Sequence, residues 1–208
     1  CSAALLGFYD VCKKHALSGN AVLPVLFLNT AICSLLFLPF IILSSYTGLL
    51  NSTTFYVEPC GWEQHRYILL KACIVLSSWI FGYFAIKHLP LTITGPINAT
   101  RPVMTLVGAL LIFGERLNLY QWIGVIITII SFFLLSLSGK KEGISFHKNK
   151  WILFMILAAI AGSASGLYDK FLMQKFSSTA VQFWFNSYQC LLMLIVMVVL
   201  WYPKKKNN

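Results

Sequence analysis

Long apolar runs alternate with short polar segments along the whole chain. Uncharged stretches cover residues 16–57, 72–86, 117–139, 151–168 and 176–203. Several of them exceed the roughly 18 apolar residues that a membrane-spanning helix requires. The pattern predicts seven transmembrane helices, over residues 1–15, 21–43, 67–87, 91–113, 119–137, 151–171 and 180–202. The predicted fold class is therefore all-α, a polytopic helical membrane protein.

Polar segments separate these helices. Residues 44–66 form a loop rich in Ser, Thr, Asn and Gly, and residues 203–208 form a tail that is too polar to span a membrane. Pro96 and Pro102 lie inside the fourth helix and remove backbone donors there. We therefore expect that helix to be bent or locally opened.

An internal repeat relates the first helix to the sixth. Residues 7–22, GFYDVCKKHALSGNAV, align with residues 166–181, GLYDKFLMQKFSSTAV, at a constant offset of 159. The identical positions are Gly, Tyr, Asp, a Ser and the final Ala-Val pair. After a slip of two residues, the second and seventh helices also match, through Asn29 with Asn186 and Cys33 with Cys190. Because the matches include polar residues in order, chance similarity of apolar helices is the weaker explanation.

The repeat predicts two five-helix copies. Residues 1–138 form the first copy, residues 139–150 a basic linker, and residues 151–208 the first two helices of the second copy. Copies with an odd number of helices insert in opposite orientations, which is the arrangement of secondary transporters with a solute site near the bilayer midplane. Ten helices are then expected, with about eight residues before Cys1 and about three helices beyond Asn208.

A polar stripe with an arginine at its centre follows the fourth helix. Arg101 lies ten residues after Leu91 and twelve before Phe113, near the middle of a bilayer core of about 30 Å. A charge at that depth costs roughly 2.5 kcal/mol or more. Steps of four and three residues place on one helix face Thr94, Asn98, Arg101, Thr105 and Gly108. Such a face is expected to line the bundle interior or a water-filled cavity.

Two roles are open for Arg101. In the first, its guanidinium binds an anionic group of a solute, such as a carboxylate or phosphate, by paired hydrogen bonds. The same solute site would then include Thr94, Asn98 and Thr105. In the second, Arg101 is structural and pairs with Asp10, Asp169 or an acid beyond this sequence. No acid lies deep within a predicted membrane segment, which keeps the first role open.

A second polar set lies on the second and seventh helices. Its members are Asn29, Gln182, Asn186 and Gln189, the last three spaced four and three residues apart. Because the repeat makes Asn29 and Asn186 equivalent, all four are candidates for solute binding in a central cavity. The alternative is hydrogen bonding between helices.

Other residues have mainly structural interpretations. Trp79 and Tyr83, four residues apart, are packing residues or part of a cavity wall. The dipeptides Tyr9-Asp10 and Tyr168-Asp169 are gate or packing residues near helix ends. A ladder of small residues on the sixth helix predicts a packing seam, formed by Ala158, Gly162 and Gly166.

The composition supports a membrane protein and disfavours several other classes. The chain is 58% hydrophobic and 11% charged, whereas a soluble domain has about 25% charged residues. The net charge of +10 does not indicate nucleic-acid binding, because lysines such as Lys13 and Lys14 cluster at predicted helix ends and set membrane orientation. The six cysteines lack metal-binding spacing, and HExxH, GxSxG and Gly-rich phosphate motifs are absent. We expect no catalytic residue, metal site or cofactor.

Residues 95–135 carry a specific resemblance. The stretch GPINATRPVMTLVGALLIFGERLNLYQWIGVIITIISFFLL is similar to the fourth and fifth helices of the EamA-like branch of the drug/metabolite transporter superfamily. The shared features are a proline in the fourth helix, a small residue after it, a Gly-Glu-Arg turn and a Trp-Ile-Gly start to the next helix. These are Pro102, Gly108, Gly114, Glu115, Arg116, Trp122, Ile123 and Gly124. The helix count and the repeat extend the resemblance over the whole chain.

The resemblance implies a multi-pass protein of the plasma (inner) membrane that acts as a permease or exporter by alternating access. Its implied partners are the lipid bilayer, a small metabolite such as an amino acid, and a coupling ion. A non-transporting scaffold or sensor on the same helices is the alternative. Arg101 is not a universal feature of the family, so its role rests on its position in the apolar segment. Glu115 and Arg116 are expected to form a structural latch. The lysine distribution places the linker in the cytoplasm, whereas the resemblance places it outside.

Overall fold

The computed structural model of the chain describes residues 2–46, 53, 55–114, 117–139 and 149–201. Its helices are α1 Ser2–Leu17, α2 Val22–Tyr46, α3 Trp62–His88, α4 Leu91–Ala99, α5 Arg101–Phe113, α6 Leu119–Gly139, α7 Lys150–Lys175 and α8 Ser178–Val196. A short π-helical stretch, Met197–Trp201, continues α8. The described residues include no strand, so the all-α prediction is confirmed.

Five helical segments are long and apolar enough to cross a membrane. Among the described residues these are Val22–Tyr46, Trp62–His88, Leu91–Phe113, Lys150–Lys175 and Ser178–Leu200. The third of them joins α4 and α5. The Leu119–Ser131 part of α6 is a shorter apolar helix, and α1 has 16 residues. Because only helices and closed barrels satisfy their backbone groups in lipid, this set of helices is that of a polytopic membrane protein.

The start of α3 corrects a predicted boundary. The backbone N–H of Gly61 donates to Gln64 Oε1 at 2.6 Å, and α3 begins at the next residue, Trp62. The side chain of Gln64 thereby satisfies one of the donors that a helix N-terminus leaves free. The predicted polar loop 44–66 is therefore too long at its end, and the first five residues of α3 come from it.

The fourth predicted helix is broken, as its prolines lead us to expect. α4 ends at Ala99 and α5 begins at Arg101. Pro102 has no N–H, so it cannot donate the helical bond that would continue the ladder. Thr100 fills the junction, because its backbone N–H and its hydroxyl both donate to Ile97 O, at 3.2 and 2.7 Å. The break places Arg101 at the first position of a new helix in the middle of the apolar segment.

By their contacts the residues form two compact units. The first unit consists of Cys1–Val22 and Ser77–Leu167, and the second of Leu23–Leu76 and Tyr168–Asn208. These units are defined by contacts within the structure, whereas the predicted division at the linker is defined by the sequence repeat. The two divisions are therefore different. Residues 140–148 of the linker lie outside the described residues, and the repeat-based boundaries stay a prediction.

The first unit has a core formed by α3, the start of α4, and α7. Its buried members are Ala85, Leu89, Ile93, Ile152 and Met155. A lysine fastens α1 to the end of α3, since Lys14 Nζ donates to the carbonyls of Ile86, Lys87 and Leu89 at 2.5, 3.1 and 2.9 Å. A helix C-terminus leaves such carbonyls unpaired, so Lys14 caps α3. In return, Lys87 Nζ donates to Asn20 O at 2.8 Å.

The second unit is built around apolar contacts and one ion pair. Its buried apolar cluster is Ile41, Val57, Ala180 and Phe183. Lys71 Nζ on α3 lies 2.7 Å from Asp169 Oδ1 on α7 and 4.5 Å from the ring centre of Phe185 on α8. Lys71 is only 3% exposed. Next to Asp169, the hydroxyl of Tyr168 donates to Tyr67 O at 3.2 Å. The pair therefore ties three helices together.

Candidate functional site

A cavity of about 540 Å³ lies in the first unit. Its walls come from α1, α3, α4, α5 and α7, and are Tyr9, Asp10, Lys13, Ser78, Trp79, Gly82, Tyr83, Ile86, Asn98, Arg101 and Met155. The volume suits a small metabolite, since ligand pockets usually measure roughly 300–1,000 Å³. Two residues of the predicted polar stripe, Asn98 and Arg101, line it. Trp79 and Tyr83 line it too, which supports their interpretation as wall residues.

Arg101 reaches this cavity from the start of α5 while its guanidinium rests on α7. Arg101 Nη2 donates to Ala158 O at 3.1 Å, and Ser163 Oγ donates to Arg101 O at 3.3 Å. Gly162 makes the approach possible, because a Cβ at that position would lie only 3.0 Å from Arg101 Cζ. The Arg101 side chain thus packs against the seam of small residues predicted on α7.

Arg101 has no salt bridge within the part of the chain that the structure describes. Asp10 Oδ1 lies 2.8 Å from Lys13 Nζ, and Asp169 is paired with Lys71. Both acids that sequence analysis names as structural partners are therefore engaged with lysines. The guanidinium of Arg101 therefore donates to a backbone carbonyl, that of Ala158, rather than to a carboxylate.

Two buried polar atoms of the cavity residues lack a hydrogen-bond partner among the described residues. They are Arg101 Nε, a donor, and Asn98 Oδ1, an acceptor. The two residues are three positions apart, so they lie on one helical face. An unpaired buried polar atom costs roughly 1–3 kcal/mol, and native structures contain few of them. A bound group with an acceptor and a donor close together could satisfy both atoms.

The remaining threonines of the predicted stripe have other surroundings. Thr94 is 1% exposed on α4, and the described lining of the cavity includes neither Thr94 nor Thr105. Thr105 packs on α7, where a Cβ added to Gly166 would lie 3.3 Å from Thr105 Cγ2. The stripe is therefore a cavity wall at Asn98 and Arg101 and a helix-packing surface further along α5.

Lys13 is a cavity residue that the polar pattern of the sequence does not predict. The sequence pattern assigns Lys13 to the lysines at helix ends that set membrane orientation, but in the structure it lies within α1 and faces the cavity. Its Nζ lies 4.7 Å from the ring centre of Tyr9 and 5.2 Å from that of Tyr83, besides its contact with Asp10. The signal was available, because residues three apart such as Asp10 and Lys13 share a helix face.

The other predicted site residues lie in the second unit. Asn186 is 8% exposed, and its Nδ2 donates to Gln182 O at 2.8 Å, a bond within α8. Gln189 is 1% exposed, and neither polar atom of its amide has a partner among the described residues. Gln182 is exposed, and Asn29 on α2 is half-buried. The residues predicted to share one face of α8 thus have different environments, and Gln189 is the one left unsatisfied.

The turn that follows α5 lies largely outside the described residues. Glu115 and Arg116, the predicted latch, belong to the part of the chain on which the structure gives no description. Gly114 is described, and its φ of 63° is the left-handed conformation with which glycine ends a helix.

Comparison with family models shows what kind of protein holds this cavity. Residues 1–137 match the model of the EamA-like transporter family. The chain belongs to that family. The match covers more than half of the chain and includes the residues of α1, α3, α4 and α5 that line the cavity. Comparison with curated proteins and with solved structures gave no match.

Membership of the EamA-like transporter family establishes the general function. The family consists of membrane transporters of the drug/metabolite transporter type rather than enzymes. The chain is therefore an integral, multi-pass membrane protein whose partners are the lipid bilayer and a small-molecule solute. Helix α7, whose Ala158 and Gly162 hold Arg101, lies beyond the matched residues.

Proposed function

We propose that this EamA-like transporter is a secondary transporter of a small polar metabolite with an anionic group, such as an amino acid or another organic acid. It binds the anionic group at Arg101 and moves the solute across the plasma (inner) membrane by alternating access, driven by an ion gradient or by exchange. The observation that carries the proposal is Arg101 itself. It is a charged residue at the wall of a cavity, in an apolar segment, with no acidic partner among the described residues.

Charge and hydrogen bonding support an anionic ligand. The described cavity walls carry two basic side chains, Arg101 and Lys13, and one acid, Asp10. Since Asp10 is paired with Lys13, the charge left over is the positive charge of Arg101. The unpaired Nε of Arg101 is a further donor for a carboxylate or phosphate oxygen. Asn98 Oδ1 supplies an acceptor for a hydroxyl or amino group of the same solute.

The two inverted five-helix copies, with their boundaries at residues 138 and 151, remain part of the proposal. Within the second unit, Gln189 is the residue that we retain most firmly as a polar contact for the solute, because it is buried and unsatisfied. Asn186 has a bond within its own helix, so we rank it below Gln189, with Asn29 and Gln182 after it.

Flux through proteoliposomes tests the proposal. The full-length protein is reconstituted, and uptake is measured with a panel of radiolabelled amino acids, dicarboxylates and inorganic phosphate. Arg101→Ala is expected to lower the flux of the transported solute by about tenfold to a hundredfold, because a hydrogen bond to a charged group contributes roughly 1.5–3 kcal/mol. Arg101→Lys is expected to recover part of it, since the charge remains but the planar fork is lost.

Arg66→Ala is the matched control, because Arg66 is an exposed arginine of the second unit. Each variant is checked for a single monodisperse peak in gel filtration before its flux is measured. Undiminished flux in a folded Arg101→Ala protein would remove Arg101 from the site. If the wild-type protein moves no solute of the panel, the scaffold or sensor function is favoured instead.

A further inference from the structure

The ammonium of Lys13 is held by three side chains of the cavity wall. Asp10 Oδ1 lies 2.8 Å from Lys13 Nζ, and the ring centres of Tyr9 and Tyr83 lie 4.7 and 5.2 Å away. The two tyrosine hydroxyls are 3.1 Å apart, within hydrogen-bond distance of each other. We call Tyr9, Tyr83 and Asp10 the cation cage. Two rings and one carboxylate around one ammonium form a site of the type that recognises alkylammonium ligands.

An ordinary ion pair at the protein surface does not require two aromatic rings around its ammonium group. Asp10 and Lys13 are three residues apart, and an exposed pair of that kind contributes little to stability. Here the Lys13 side chain is 12% exposed, although the Asp10 side chain keeps 35% of its surface exposed. Tyr83 comes from α3, and α1 is fixed to α3 by Lys14, one turn after Asp10. The cage is therefore assembled between two helices and is held in place without Lys13.

We propose that the cation cage is a subsite of the cavity for an ammonium group, and that Lys13 occupies it as a tethered competitor. The proposal rests on the proposed function, because it adds a second subsite to the cavity in which Arg101 binds the anionic group. A solute with an anionic and an ammonium group displaces Lys13 from the cage. When Lys13 is in the cage, the charge of Asp10 is compensated, and a solute without an ammonium group has only Arg101 to bind.

Tethering makes Lys13 a selective competitor. A group attached to the same helix competes as if it were present at roughly millimolar concentration or more. An ammonium ligand that binds the cage weakly by itself cannot displace Lys13. A solute held at the same time by Arg101 can, because its own ammonium is then also presented at high effective concentration. Lys13 thereby raises the discrimination against simple amines.

Chemical rescue tests this subsite without any knowledge of the solute. The full-length protein in detergent carries Lys13→Ala, and its apparent Tm is measured with methylammonium chloride against equal sodium chloride. Methylammonium matches the lysine head group, so Lys13→Ala is expected to show a saturable rise in Tm of roughly 2–4 °C. The wild-type protein is expected to show a much smaller rise, since its cage is occupied. Asp10→Asn combined with Lys13→Ala is expected to show none.

Lys150→Ala is the matched control, because Lys150 Nζ lies 4.9 Å from the ring centre of Trp151 with no acid recorded beside it in the described residues. No methylammonium-specific rise is expected there. Equal shifts in the wild type and Lys13→Ala, or no shift in Lys13→Ala, would overturn the cage.

If Lys13→Ala is not monodisperse in buffer, Lys13→Ser is used, and methylammonium during solubilisation is expected to recover folded protein. Failure to recover either variant counts against the cage. The result is independent of Arg101. If methylammonium does not raise the Tm of Lys13→Ala while the flux still depends on Arg101, the cage alone is refuted. If methylammonium raises the Tm but the protein moves no solute, the proposed transport alone is refuted.

Discussion

The same dipeptide, Tyr-Asp, occurs in both units and has a different environment in each. In the first unit, Tyr9 and Asp10 border the cavity, and Asp10 pairs with Lys13 of its own helix. In the second unit, Tyr168 bonds to a backbone carbonyl of α3, and Asp169 pairs with Lys71 of α3. The dipeptides occupy equivalent positions of the internal repeat, which makes the comparison a controlled one.

One substitution within the repeat explains much of the difference. At the offset of 159, the position equivalent to Lys13 is Leu172. Leu172 is fully buried and cannot neutralise Asp169, so the partner of Asp169 comes from another helix. Lys71 supplies that charge and also lies over the ring of Phe185.

A local pair and a pair between helices have different consequences. The Asp10–Lys13 pair lies within one helix, α1, and borders an accessible cavity. The Lys71–Asp169 pair joins α3, α7 and α8, and Lys71 is almost inaccessible. We infer that the charged pair serves binding in the first unit and stability in the second.

The largest expected effect is the loss of the pair in the second unit. Lys71→Met leaves Asp169 without its lysine, and breaking a buried pair typically costs 3–5 kcal/mol. Because Asp169 keeps 31% of its side-chain surface exposed, we expect about 3 kcal/mol. Asp10→Asn in the first unit is expected to cost less, about 1 kcal/mol, because the pair lies within one helix and the Lys13 ammonium keeps its contacts with the rings of Tyr9 and Tyr83. The measurement is the free energy of unfolding in mixed detergent micelles.

A double variant separates charge from packing in this experiment. Lys71→Met with Asp169→Leu removes both charges, and most of the lost stability is expected to return, since apolar replacements of buried pairs are often neutral. If Lys71→Met and Asp10→Asn lowered the free energy of unfolding by similar amounts, the two charged pairs would not differ in their contribution to stability.

The next effect concerns two glycines that are equivalent in the repeat. A Cβ on Gly166 would lie 3.3 Å from Thr105 Cγ2, whereas nothing described lies within 4 Å of a Cβ on Gly7. Gly7→Ala is expected to raise the free energy of unfolding by about 0.5–1 kcal/mol, because alanine has a higher helix propensity than glycine. In Gly166→Ala, overpacking is expected to cancel this gain and to lower the free energy of unfolding by about 1 kcal/mol more. Unfolding of the two variants side by side checks the difference, and equal stability would show that the seam on α7 tolerates a methyl group.

The long apolar runs predict the helices well because lipid leaves the backbone few alternatives. The break at Thr100 is also predictable, since Pro102 has no N–H to donate. Arg101 in the cavity wall follows from the cost of a charge in an apolar segment, which is a property of the sequence alone.

The two lysine sites escape sequence analysis for one physical reason. Lys13 and Lys71 lie near one end of the predicted helices 1–15 and 67–87, where a lysine is expected to extend its ammonium to water at the membrane surface. The observed helices extend beyond both residues, α1 to Leu17 and α3 back to Trp62, where Gln64 caps it. Whether such a lysine meets water, lipid or an acid depends on the neighbouring helices, and hydropathy along one chain carries no such information.

The smallest effect concerns the loop that leads into α3 and covers the core of the second unit. Cys60 packs against the apolar cluster of that unit, and its Sγ lies 3.7 Å from Glu58 O. Burial raises the pKa of the Cys60 thiol, and the charge of Glu58 raises it further. The thiolate is the reactive form, so a raised pKa means slow alkylation at neutral pH.

Maleimide labelling of a variant in which Cys60 is the sole cysteine tests whether this loop is packed. The rate is expected to rise with pH through a midpoint above that of an ordinary thiol. Glu58→Gln removes the nearby charge, so it is expected to lower the thiol pKa and increase the rate at pH 7.5 modestly, at most a few-fold. Glu63→Gln is the control, because Glu63 is an acid of the first turn of α3 that does not contribute to the shift. Fast labelling of Cys60, with the pH midpoint of an ordinary thiol, would mean that the loop is open to solvent. The core of the second unit would then be as accessible as the cavity of the first.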